Sequence, residues 1–156
     1  MTSEAGSELQ LEYDQSVIGV DVELGSIEVT RELIANYCDA IGETNPLYTD
    51  EQAAAEGPHG AITAPPGLLS ALPFRGGGLD PKVKFGNTQF FAGSRLECFA
   101  PVAAGDTISA TTQVKEVYPK TGRSGTMVFI VRRTTFTNQD GVAVAATEQS
   151  QVHRQV

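Results

Sequence analysis

Apolar positions follow two different rhythms along this chain. Leu33, Ile34, Tyr37, Cys38 and Ile41 recur at helical spacing and give one apolar face. Thr30 stands where an N-cap hydroxyl belongs, Glu32 lies in the first turn, where the helix dipole favours it, and Gly42 follows the last turn. After residue 90 the rhythm changes. Residues 93–99, 107–117, 126–137 and 142–152 are long runs rich in Val, Thr, Ile and Phe. In the second of them Ile108, Ala110, Thr112 and Val114 alternate against Ser109, Thr111, Gln113 and Lys115, the period of a strand with one buried face. Turn material at 101–106, 119–125 and 138–141 separates the runs, and Asp140-Gly141 is the sharpest hairpin signal.

Earlier segments complete the list of elements. Residues 17–24 alternate partly and predict a first strand or an extended lead-in. Thr49 to Gln52 reads as a capping box, with Thr49 as N-cap of a short Ala-rich helix over 50–56 that Gly57-Pro58 ends. Leu68 to Leu72 is a short apolar run suited to a buried helix, stopped by Pro73 and Gly76-Gly77-Gly78. One strand, then helices, then about four long strands is an α+β order with segregated helices. It predicts a curved antiparallel sheet wrapped around a central apolar helix. Residues 1–16, polar and without period, are expected to be a flexible N-terminus, and residues 17–156 a single domain.

Composition narrows the partners. With 40% hydrophobic and 19% charged residues the chain reads as globular rather than disordered. A formal net charge of −8 disfavours nucleic acid and anionic membrane surfaces, which need concentrated Lys and Arg. No apolar run reaches the roughly 20 residues of a membrane span, and the polar, acidic first residues are unlike a signal peptide. A cytoplasmic location is therefore expected. Cys38 and Cys98 form no Cys-x-x-Cys pair, so both read as buried small apolar residues and no metal or disulfide framework is expected. His153, three residues from the end, is expected to be frayed and incidental.

Candidate chemistry gathers between the helices. Ile41-Gly-Glu-Thr-Asn-Pro-Leu-Tyr-Thr-Asp50 leads from one helix through an Asn-Pro turn into another, and the chain then reaches Ala64-Pro-Pro-Gly67. Loops punctuated this way, on a rigid scaffold, are where sites are built. These two stretches, with Pro101-Val-Ala-Ala-Gly-Asp106 and the strand ending Thr137-Asn-Gln-Asp-Gly141, resemble the MaoC-like hot-dog hydratases and dehydratases. The likeness is to the N-terminal, FAS1-like dehydratase branch, and runs from about residue 17 to 153.

The resemblance implies a hot-dog fold and (R)-specific-type hydration of an enoyl thioester, or its reverse, on acyl-CoA or acyl carrier protein, with no cofactor or metal. Catalytic members carry an Asp two residues before the Asn of Asn-Pro and a His two after the Pro, a pair that moves protons to and from water. Here those positions hold Glu43 and Tyr48. The extra methylene of Glu43 displaces its carboxylate, and Tyr, with a reference pKa of about 10, is a poor base near neutrality. Asn45, Pro66, Gly67 and His59 are the candidate substrate-binding residues. By the resemblance the Gly67 amide would meet the thioester oxygen, and His59 in a Gly-rich loop could replace the missing base.

Blander readings stand beside these: Glu43 as a solvated residue after a helix, Tyr48 as a half-buried ring, Asn45 bonded to its own turn, Asp50 as structural. Arg123, Arg132, Arg133, Lys115 and Lys120 could meet a coenzyme A phosphate or simply solvate a sheet face. The substitutions at 43 and 48 point to the half of a dimer that lacks the dyad and shapes the acyl pocket for a dyad-bearing hot-dog partner. The alternatives are an active homodimeric hydratase using Glu43 and a non-catalytic acyl-thioester or lipid-binding module. A hot-dog thioesterase is a weaker rival.

Overall fold

The computed structural model describes residues 9–156. A single five-stranded antiparallel sheet in the order β1-β3-β4-β5-β2 carries the helices on one face. Its strands are β1 (Val22–Glu28), β2 (Thr88–Cys98), β3 (Thr107–Gly122), β4 (Gly125–Thr137) and β5 (Ala143–Arg154). Between β1 and β2 lie α1 (Arg31–Ile41), α2 (Pro46–Thr49), α3 (Glu51–Glu56) and α4 (Leu68–Ala71). This is the expected α+β hot-dog arrangement, with an apolar helix of one turn, α4, against the sheet.

Cross-strand register explains the core. Ala110 faces Phe136, which faces Ala145 on β5, so one pleat row points to the helices from three strands. Ile34 and Cys38 of α1 and Leu68 and Leu69 of α4 join Ile108, Ala110, Phe136 and Ala145 in one buried cluster. Fully burying an Ile, Leu or Phe side chain stabilises by about 1.5–3 kcal/mol. Further along the same face the rows turn polar, and the Thr134 hydroxyl donates to that of Thr112 at 3.0 Å.

Several local expectations shift. The first strand is β1 at Val22–Glu28, not 17–24, because its pairing with β3 begins at Val22↔Thr112. Residues 15–17 instead form a 3-10 turn, capped by Asp14 accepting from the Ser16 amide. The region read as a turn at 119–125 is mostly strand: Pro119 pairs with Val128 and the ladder closes at Gly122↔Gly125. Pro119 is tolerated because β1 ends its pairing with β3 well before it, leaving that arm as an edge. The Asp140-Gly141 turn forms as expected, with Gly141 at φ 75° and the Asn138 side chain accepting from the Asp140 and Val142 amides.

Three more readings change. His153 is not frayed. It is 7% exposed, between Val128 of β4 and Gln89 of β2, because β5 is paired on both sides almost to the end of the chain. Cys98, expected to be buried, is exposed as the last residue of edge strand β2, while Cys38 is buried as expected. The α3 cap is Asp50, whose carboxylate accepts from the Ala53 amide, and Thr49 closes α2 instead, donating to the Asn45 carbonyl.

Of the stretch expected to be a flexible terminus, residues 1–8 lie outside the described residues. Within 9–16, Lys84 pairs with Glu12 and the Asp14 amide donates to the Pro81 carbonyl.

Candidate active site

The loop at residues 42–50 is built from the end of α1. Gly42 adopts the left-handed conformation at φ 70°, and the Glu43 amide reaches back to the Cys38 carbonyl at 2.9 Å, the long bond of a Schellman ending. That ending turns Glu43 inward over its own loop, where its carboxylate accepts from the Asn45 amide at 2.9 Å. The Asn45 side chain accepts in turn from the Leu47 amide and caps α2, whose first residue is Pro46. Glu43, Asn45, Thr49 and Asp50 thus all spend their polar groups on nearby backbone.

Tyr48, the half-buried ring of that loop, packs on the core cluster and forms one wall of a cleft of about 320 Å³. Exposed His59 stands at the rim, and Thr63 to Pro66 and Leu69 form the floor on one side. Cys98 to Val102, at the end of β2 and in the loop after it, form the other side. A short bridge joins the two sides: Thr63 pairs with Ala103, with the Ala64 amide donating to the Val102 carbonyl and the Ala104 amide to that of Ile62. Asp106 secures this loop by accepting from the Ala103 amide and the Gln139 side chain.

Tyr48, His59 and Pro66 are therefore brought together, whereas Glu43, Asn45 and Gly67 lie outside the cleft lining. Gly67 is adjacent to it. Its N–H has no acceptor among the described residues, and the Tyr37 hydroxyl sits where a Cβ on Gly67 would be. Sequence reasoning missed Thr63, Cys98 and Phe99. The Pro101 to Asp106 motif hinted at the second wall, but only the pairing of Thr63 with Ala103 shows that it faces Pro65-Pro66.

Three of the candidate cations, Lys115, Arg132 and Arg133, are already engaged. Lys115 and Arg133 both donate to Glu148 on the far face, holding its carboxyl below the usual range, and Arg132 donates to the Leu79 carbonyl. Burial, with help from Glu43 and Asp39, pushes the Cys38 thiol up. Among the described residues no cluster of His, Cys, Asp and Glu forms a metal site, and no helix is long and apolar enough to cross a membrane.

Residues 16–147 match the family described as the FAS1-like, dehydratase domain region. The chain belongs to this family of MaoC-like hot-dog dehydratases. A UPF0336 protein of Streptomyces coelicolor is 31% identical over 114 residues, which cover 70% of this chain and 76% of that protein. A probable enoyl-CoA hydratase alpha subunit of Thermomonospora curvata is 30% identical over 138 residues, 78% of this chain but 43% of that longer protein. The crystal structure of the ChsH1-ChsH2 complex from Mycobacterium tuberculosis superposes with a TM-score of 0.69 at 21% identity, covering 88% of each chain. The HadBC (3R-hydroxyacyl-ACP dehydratase) complex of the same organism gives 0.68 at 24% identity over 89% of this chain and 98% of that one. At these identities the superpositions speak for the fold.

Proposed function

We propose that residues 17–156 act as a single hot-dog domain, the dyad-lacking half of an (R)-specific-type enoyl-thioester hydratase or 3-hydroxyacyl-thioester dehydratase in the cytoplasm. One observation carries this reading: neither position of the family's proton-moving pair brings the expected group to the cleft, and His59, the histidine of its lining, is an exposed loop residue at the rim. Glu43 is turned away and accepts from the Asn45 amide, and Tyr48 faces the cleft where a base is wanted. A tyrosine there serves as wall rather than base. The free Gly67 N–H beside the cleft is the donor we assign to the thioester oxygen.

A dyad-bearing hot-dog partner supplies the acid–base pair. The surface that receives it is edge strand β2, paired among the described residues with β5 alone and carrying Phe90 and Phe91 at 43% and 65% exposure, with Phe99 just beyond. Rows of unpaired backbone groups with exposed aromatics invite a further strand. Two of the structural relatives are themselves complexes of two different chains by name. The test is turnover by the purified chain alone: it binds a crotonyl thioester and leaves it unhydrated. Robust hydration by the chain alone would overturn the reading in favour of an active homodimer.

A further inference from the structure

Thr63 is a polar residue in the cleft wall whose hydroxyl has no partner among the described residues. It is 5% exposed, lines the cleft, and its hydroxyl makes no hydrogen bond to any described residue. Nor is that oxygen sealed off, since Arg154 Nε is the one fully occluded side-chain atom found without a partner among the described residues. The hydroxyl therefore keeps some accessible surface, on a residue that lines the cleft.

Around it the lining is largely apolar: Ala64, Pro65, Leu69, Phe99 and Val102. Bonds from the Ala64 and Ala104 amides, at 2.8 and 2.9 Å, hold the backbone that carries the Thr63 side chain. Valine would fill the same space with no polar atom to satisfy. Buried polar groups in folded proteins are nearly always paired, so a hydroxyl held in such a wall takes its partner from whatever occupies the cleft.

We infer that Thr63 is a ligand-binding residue whose hydroxyl bonds an oxygen of the bound thioester. This rests on the acyl-thioester reading above. Two ligand oxygens have this chemistry: one at C3 of the acyl group, as in a 3-hydroxyacyl thioester, and the amide carbonyls of the pantetheine arm. Thr63 holds the ligand and takes no part in proton transfer.

The experiment compares binding of hexanoyl-CoA and (R)-3-hydroxyhexanoyl-CoA to the full chain, in the assembly in which it purifies, by calorimetry. Thr63→Val and Thr63→Ala are set beside Thr63→Ser, with thermal unfolding confirming the fold of each. Loss of about tenfold in affinity in Thr63→Val for the 3-hydroxy ligand alone, retained by Thr63→Ser, places the bond at C3. Equal loss for both ligands places it on the pantetheine arm. Should Thr63→Val fail to fold, Thr63→Ala gives the same comparison. Unchanged affinity for both ligands in folded Val or Ala variants overturns the inference about Thr63 but not the acyl-thioester reading. A wild-type chain that binds neither ligand overturns both.

Discussion

Gly67 and Tyr37 make a sharp case for how tightly the chain beside the cleft is packed. The backbone of Gly67 is ordinary, at φ −63°, so alanine there meets no conformational strain. What forbids it is the Tyr37 hydroxyl oxygen, which occupies the space a Cβ would need; the next atom of that ring, Cζ, stands 3.5 Å away, an ordinary contact. Gly67→Ala should therefore destabilise by about 1–3 kcal/mol through overpacking, offset in part by about 0.4–1 kcal/mol from the stiffer unfolded chain. Tyr37→Phe removes the offending atom, and no hydrogen bond to the Tyr37 side chain is found among the described residues, so alone it costs little. In the Tyr37→Phe background the same Gly67→Ala change should be neutral or stabilising by up to about 1 kcal/mol. Urea unfolding of the four proteins reads the cycle, with a coupling of about 1–3 kcal/mol. Equal cost of Gly67→Ala in both backgrounds would refute the reasoning and move the constraint off Tyr37.

Other consequences can be checked as directly. Glu148 titrates below the usual glutamate range, chiefly because Lys115 donates to it and also through Arg133, with burial opposing. On acidification the unfolded chain takes up that proton first, so the contribution is present at neutral pH and lost as pH falls from about 5 through the lowered folded value. Glu148→Gln should cost about 1 kcal/mol at pH 7, since the site is partly solvated, and progressively less below about pH 4 in thermal unfolding. Cys98 should react with a thiol reagent in the native protein while Cys38, buried and raised in pKa, waits for unfolding; equal rates would contradict the burial. Asp106→Ala should destabilise by about 1–3 kcal/mol, because the Ala103 amide loses its acceptor, and should loosen the second wall of the cleft. Hydrogen exchange at residues 101–106 would register that loosening.

What the sequence made legible follows from how local each signal was. The α1 helix declared itself from Thr30 to Gly42 because periodicity, cap and stop are all written within the segment. The strands of the second half were visible for the same reason, although their ends were not. Pro119 and Gly122 read as turn residues, yet they lie in a ladder that only the partner strand specifies. His153 and Cys98 were misread because burial at a chain end or on an edge strand depends on neighbours far away in sequence. The motif at residues 41–50 located one wall of the site, but not that Glu43 bonds back to Asn45. The opposite wall, Cys98 to Val102, rests on the pairing of Thr63 with Ala103, forty residues apart and outside any regular strand.

This chain shapes the cleft, on the reading proposed above, while another chain moves the protons. The most direct test of that division is hydration of a crotonyl thioester by this chain assembled with a dyad-bearing hot-dog subunit, with substitutions placed on one side at a time. Glu43→Gln and Tyr48→Phe in this chain should leave turnover within a few fold. Replacing the partner's dyad histidine should remove a factor of about 10²–10⁴. Loss of that size from Glu43→Gln in a folded assembly would contradict the account and return the chemistry to this chain.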